Sequence, residues 1–296
     1  MIMKKKIAII FILLVSPILF TACDLFYSLD PEYNAAVKKG TLKACRGLED
    51  EDMQDSCIED IAENSMDKSL CKELTKENDI NNCYRKVAVA KGDPSICNEI
   101  TSAGNKDSCI SEVARGMLDH NICSAIENKI TRKNCYTNIA IETDNLSICN
   151  EIKDDDKGID NCIYDLAVAK KELSYCENIL NDTMKSNCIS SVAIDTEGDL
   201  ACEKLEERDK RDYCLVQVAT KRNDEMICAK IEDQRTVNSC YYKIGTTKND
   251  DMVCQNISES MIEKDCLVKV GINKKDSLVC AGADEEEQYN CHFEIA

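Results

Sequence analysis

Cysteine is the residue best placed to do chemistry in this 296-residue chain, which contains 21 of them. After Cys23 they fall at Cys45, Cys57, Cys71, Cys83, Cys97, Cys109, Cys123, Cys135, Cys149, Cys162, Cys176, Cys188, Cys202, Cys214, Cys228, Cys240, Cys254, Cys266, Cys280 and Cys291. Separations alternate between 12 and 14, broken only by 13 at Cys149–Cys162 and 11 at Cys280–Cys291. Thiols at this density serve either as disulfides in an oxidising compartment or as thiolate ligands to metal. Zinc and iron–sulfur sites use close pairs such as C-x2-C, and the sequence has none. The spacing predicts disulfides, with no metal and no cofactor.

Little else offers reactivity. The two histidines, His120 and His292, have no recurring Ser, Cys or acid partner, so a nucleophilic triad is not expected. The acid runs at 154–156 and 285–287 lack the spaced ligands of a calcium hand and read as solvated turns. Tyr84, Tyr136 and Tyr241 recur at one helical position and read as core. No catalytic residue is predicted. The formal charge is −18, and without Lys4, Lys5 and Lys6 it becomes −21, from 34 basic and 55 acidic residues. Such a surface repels phosphate backbones and argues against nucleic acid.

The first residues set the compartment. Three lysines precede an apolar run from Ile7 to Phe20, then Thr21, Ala22 and Cys23. A basic start, a short apolar stretch and small residues before a cut make a secretory signal. The run is shorter than the roughly 20 residues that span a bilayer. Its end, Leu19, Thr21, Ala22 and Cys23, resembles the lipobox of prokaryotic lipoproteins, with Phe20 departing from the usual Leu. That resemblance implies a signal peptide over 1–22 and lipidation of Cys23, with the chain held at the outer face of a membrane.

The elements that hold the cysteines follow from their period of 26 residues, which recurs ten times. Fixed-period self-similarity is the mark of stacked supersecondary units. Four residues before the first cysteine of a unit stands a capping residue in most units (Thr41, Asp67, Asp93, Asp119, Asn145, Asp224, Asp250, Asp276). Three residues after it comes Leu or Ile in the first nine units, which predicts a short helix A of about eight residues. From the second cysteine, apolar residues at 0, +1 and +4 and Ala or Gly at +5 make one helical stripe. Asp79, Asn105, Thr131 and Thr236 four residues earlier read as caps of a helix B of about twelve residues. The predicted fold is all-α, a solenoid of ten helix-turn-helix repeats over 41–296, joined to the lipid by a tether over 23–40.

Pairing within a unit puts both cysteines about four residues from the A–B turn, level in an antiparallel hairpin. Pairing between units would offset them by about 6 Å at the helical rise, straining the bond. Both spacing exceptions fall inside units, and only in-unit pairing uses all twenty cysteines. In-unit disulfides are therefore expected, substituting for a core that has only 5% aromatic residues. In design the array resembles the Sel1-like cysteine-rich repeat proteins, which are disulfide-stapled αα-hairpin solenoids. Their longer repeat and closer cysteines limit that likeness to architecture. The expected role is a non-enzymatic lipoprotein that presents an elongated acidic surface to a protein or cell-envelope partner. A pure spacer stands as the alternative, and a cell-envelope enzyme or metal-thiolate protein as further ones.

Overall fold

The computed structural model describes residues 30–276 apart from 154, together with 278 and 279. Cys23, Cys280 and Cys291, His292 and the acid run at 285–287 lie outside the described residues. The described residues fall into two compact units, divided between Met117 and Leu118. All regular structure among the described residues is helical.

In the first unit, helix Pro31–Lys39 precedes three repeats whose A and B helices are Leu42–Cys45 and Glu51–Ser65, Lys68–Glu73 and Glu77–Lys91, and Pro94–Glu99 and Ala103–Met117. The expected tether is thus corrected from Pro31 onward. Asp30 caps the amides of Glu32 and Tyr33, Pro31 occupies the first turn, where its missing N–H costs nothing, and Tyr33 and Ala36 are buried. The Tyr33 hydroxyl donates to Asp60 at 2.7 Å and docks this helix on the first B helix.

In the second unit, repeats four to nine run from His120–Ala125 and Lys129–Thr143 to Asp251–Cys254 and Ser260–Lys274. Within each unit, successive B helices pack on one another and each A helix packs on the B helix of its own repeat.

Both helix lengths differ from those expected. Each described B helix has 15 residues rather than about twelve, with the second cysteine in seventh place. Asp79, Asn105, Thr131 and Thr236 therefore lie inside the helix and do not cap it. The capping side chains sit three residues earlier, at Asp50, Asn128, Asp155, Asn181 and Asp233. Helix A is correspondingly reduced to a single turn of four to six residues, in 3-10 geometry in repeats two to five and eight.

The squeeze comes from the B-to-A junction, which has only two residues. The first turns left-handed, with φ between 52° and 65°, at Met66, Gly92, Leu118, Asp144, Lys171, Glu197, Asn223, Asn249 and Lys275. The second is the expected cap of helix A, and its own N–H returns to the +5 residue, as Asp67 does to Ala62 at 3.0 Å. Its carboxylate accepts from the amide two residues on, at 2.9 Å in Asp67 and 3.0 Å in Asp93. Caps at Asp67, Asp93, Asp119, Asn145, Glu172, Asp224 and Asp250 agree with the sequence pattern, whereas Thr41 and Gly198 make no side-chain cap bond.

Eight non-glycine residues thus carry a left-handed backbone, a conformation costly for any residue with a Cβ. Glu197→Gly should raise stability by about 1 kcal/mol. Unchanged urea unfolding of the variant would show that the junction is unstrained.

Nine disulfides join the two helices of repeats one to nine, with Cα–Cα distances of 5.5–5.8 Å. All are in-unit, as the level hairpin requires. The extra residue between Cys149 and Cys162 is taken up in the A–B turn, which runs over 152–155 there and 126–128 in the repeat before. The sulfurs are fully buried, among the Leu or Ile that follows helix A, the +1 and +4 residues of helix B and the alanines at +5. What the small +5 residue admits is the next disulfide. A Cβ on Gly245 would lie 3.0 Å from Cys254 Sγ and 3.2 Å from Cys266 Sγ.

Candidate functional site

The position one residue before the second cysteine reads Ser56, Asn82, Ser108, Asn134, Asn161, Asn187, Tyr213, Ser239 and Asp265 through repeats one to nine. Every one of these side chains is exposed or half-exposed. Five of them, Asn82, Ser108, Asn187, Tyr213 and Ser239, line shallow grooves between successive B helices. In the first unit Asn82 and Ser108 flank such a groove together with Arg85 and Glu112. In the second, Asn187 and Tyr213 line one groove with Tyr164, Ser190 and Ser191, and Tyr213 and Ser239 line the next with Arg235 and Lys243.

Neutral hydrogen-bonding groups at eight of these nine positions, all but Asp265, stand out in a chain with 31% charged residues. Asn82 is engaged by Glu59 and Arg85, at 2.6 and 2.5 Å. Asn134, Asn161 and Asn187 make no hydrogen bond with other described residues, so both donor and acceptor of each amide face solvent. Tyr213 breaks the series with a ring 60% exposed. The apolar stripe does not reveal this row, because it occupies the opposite phase of helix B. Its signal in the sequence is the recurrence of Ser or Asn immediately before the second cysteine.

One residue further back lies the floor of the grooves. Asp55, Asn81, Asp107, Asp160, Asp212 and Asn238 hold this place and are all buried. Burial of a carboxylate is tolerated when it accepts hydrogen bonds. Asp160 accepts from the backbone amides of Leu180 and Asn181 at 2.9 and 3.0 Å. Asp212 accepts from those of Glu232 and Asp233 at 3.2 and 2.9 Å, and Asn238 from Ser258 N at 3.1 Å. These three clamp the A–B turn of the following repeat, which fixes the rotation of one hairpin on the next.

In repeat four Lys133 takes the clamp position. It donates instead to Asp155 at 2.7 Å, in the turn that is one residue longer. Lys264, the other lysine at this position, likewise precedes a repeat of irregular spacing, Cys280–Cys291. Ser186 also lacks the carboxylate, before a turn of ordinary length.

The remaining expected features resolve as structure. Asp155 caps helix Asp156–Lys170 through Gly158 N at 3.0 Å, so the acid run there serves a helix start. Tyr84 and Tyr136 are core, with Tyr241 half-buried, and burial raises all three phenols. His120 opens a helix A and is half-buried. The eighteen described cysteines of the repeats are all oxidised, leaving no thiolate for metal among them.

Hydrogen bonds hold several carboxyls below their ordinary range: Asp67 and Asp93 by Ser69 and Ser95, Asp155 by Lys133, and Asp233 by Thr236. Lysine partners do the same for Asp199, Glu225 and Asp251. Burial pushes Glu59 the other way, partly offset by Lys86 at 3.0 Å. For the lowered carboxyls the stabilisation is complete above the unfolded value near ~4 and is lost as pH falls through the folded values. Thermal unfolding followed by circular dichroism should be nearly flat from about pH 7 to pH 5 and shift downward below about pH 4. A rise in stability on acidification would mean that Glu59 and Asp165, both raised by burial, outweigh the lowered carboxyls, Glu99 among them.

No family model matches this chain. No curated protein matches it either. Among solved structures, a chain described under the computational design of self-assembling cyclic protein homo-oligomers aligns over 92% of this chain and 91% of its own, at 11% identity and a TM-score of 0.11. A likeness at that score carries no argument. Helical repeats and buried disulfides thus rest on the chain's own geometry. Disulfides in this number place it in an oxidising, extracytoplasmic environment. No helix among the described residues is long and apolar enough to cross a membrane.

Proposed function

We propose that the protein is a lipid-anchored, non-enzymatic scaffold that binds a protein or cell-envelope partner through the seam between its B helices. The observation that carries this reading is the exposed Ser/Asn row, whose free amides at Asn134, Asn161 and Asn187 recur at the repeat spacing. A rigid, disulfide-held backbone presents those amides with little ordering cost on binding. The grooves are shallow and open, which suits an extended partner lying across several repeats. The anchoring half of the proposal rests on the lysine-rich start, the apolar run and the Thr21-Ala22-Cys23 end.

Two experiments separate these halves. Cys23→Ser should move the protein from the membrane to the soluble fraction of the exporting cell, and unchanged membrane retention would refute lipidation. For binding, the oxidised chain should retain a defined component of envelope extracts. Asn134→Ala, Asn161→Ala and Asn187→Ala combined should weaken that retention at least tenfold, with circular dichroism and thermal midpoint unchanged. Equal retention by the triple variant would remove the seam from the binding surface. Retention of nothing by the native chain would favour a spacer.

A further inference from the structure

A second exposed row lies on the A helices, two residues before the first cysteine. In repeats one to six this place holds Lys43, Ser69, Ser95, Asn121, Ser147 and Ser174. In the next four it holds Leu200, Met226, Met252 and Leu278. These four side chains are 68%, 74%, 71% and 82% exposed. Large apolar groups repeated at one register of consecutive units form an organised apolar patch, which marks an interaction surface. We infer that this ridge pairs with a second copy of the same chain.

Three features favour that occupant. The order Leu–Met–Met–Leu reads the same in both directions. A twofold axis between repeats eight and nine would therefore set Leu200 on the partner's Leu278 and Met226 on the partner's Met252. Closed dimers use such self-complementary patches.

Part of the charge beside the ridge is also offset internally. Asp199, Glu225 and Asp251 immediately precede the first three ridge residues, where repeats one to six have no acid. Asp199 is paired with Lys230 at 2.6 Å and Arg222 at 3.1 Å, Glu225 with Lys248, and Asp251 with Lys274 at 2.5 Å. These pairs offset the three acids that precede the ridge, while the cap carboxylates of Asp224, Asp250 and Asp276 lie beside it as well, in a chain whose formal charge is −18. Finally, four Leu and Met side chains at this exposure offer about 500 Å² per copy. The roughly 1,000 Å² total is at the low end of specific interfaces, appropriate to a reversible pair. The inference does not depend on the seam of the B helices, because the ridge lies on the A helices.

The test is sedimentation equilibrium of the full exported chain, freed of its anchor by Cys23→Ser. A monomer–dimer equilibrium is expected. Its dissociation constant should fall at least fivefold as salt rises from about 20 to about 500 mM, where screening removes the long-range repulsion between two acidic chains. Leu200→Ser, Met226→Ser, Met252→Ser and Leu278→Ser combined should abolish the dimer. Unchanged circular dichroism and absence of free thiols would show that this variant is folded. The four sites are exposed, and Met226→Lys alone, which also places two like charges near the axis, should weaken the dimer at least tenfold. A chain that stays monomeric at all salts overturns the inference. So does a dimer that survives the serines, or a monomer that binds phosphatidylcholine vesicles through the ridge.

Discussion

Complete reduction of the disulfides should unfold both units at neutral pH and room temperature, with loss of most helical ellipticity. Each bond closes a loop of about 13 residues, worth roughly 3 kcal/mol in the chain-entropy model. Domains of this kind are stable by only about 5–15 kcal/mol in all, so the nine bonds together outweigh any plausible reserve. The helices they join give little in return. A one-turn helix A has no stability of its own in water, and the core between helices is made mostly of Ile, Leu, Val, Ala and the sulfurs themselves, with few aromatic rings such as Tyr84 and Tyr136.

Removing a single bond should be local. Cys97→Ser with Cys109→Ser should cost about 3 kcal/mol and expose the hairpin Pro94–Met117 to proteolysis before its neighbours. Either substitution alone should do more harm in the exporting cell, because the surviving thiol is free to exchange with other bonds. Retained ellipticity in the fully reduced chain would show that packing, and not the bonds, holds the repeats.

The second large effect belongs to the clamp between repeats. Asp212→Ala should destabilise the second unit by about 2 kcal/mol, because the part-buried amides of Glu232 and Asp233 lose the carboxylate that accepts from both. Asp212→Asn keeps one acceptor oxygen and should cost about half as much. Urea unfolding of both variants under oxidising conditions measures the difference. Equal stability of native chain and Asp212→Ala would mean that the turn is held by its disulfide alone, and the clamp would then have no part in setting the angle between hairpins.

The period, the pairing register and the apolar stripe were legible in the sequence because each depends on one residue type recurring at fixed distance. Cys83, Tyr84, Val87 and Ala88 name a helix face without any knowledge of their neighbours. The helix boundaries were not legible in the same way. Asp79 and Thr236 are good capping residues by type, yet Asp233 caps Thr236, and the helix begins there. The one-turn A helix followed from the two-residue junction, whose left-handed first residue is Met, Lys or Glu in several repeats where glycine would advertise it.

The clamp and the exposed row were concealed by their composition. Asp160 and Asp212 look like two more surface acids in an acidic chain, and only their burial against turn amides gives them a structural meaning. Asn134, Asn161 and Asn187 sit between a buried acid or its substitute and a buried cysteine, so the stripe passes over them. The lysines at 133 and 264 did carry a readable trace, since both precede a repeat whose spacing departs from 12.

The fold requires each hairpin to be closed by its own disulfide, and one peptide map of the oxidised protein recovered from the exporting cell tests this. Trypsin cuts after Lys91, Lys106, Arg115 and Lys129, isolating Cys97 in 92–106, Cys109 in 107–115 and Cys123 in 116–129. Without reduction, 92–106 should be found bonded to 107–115, and no species should contain 107–115 bonded to 116–129. Recovery of that second species in quantity, or of 107–115 with a free thiol, would contradict the stapled hairpin on which the fold, the seam and the ridge all depend.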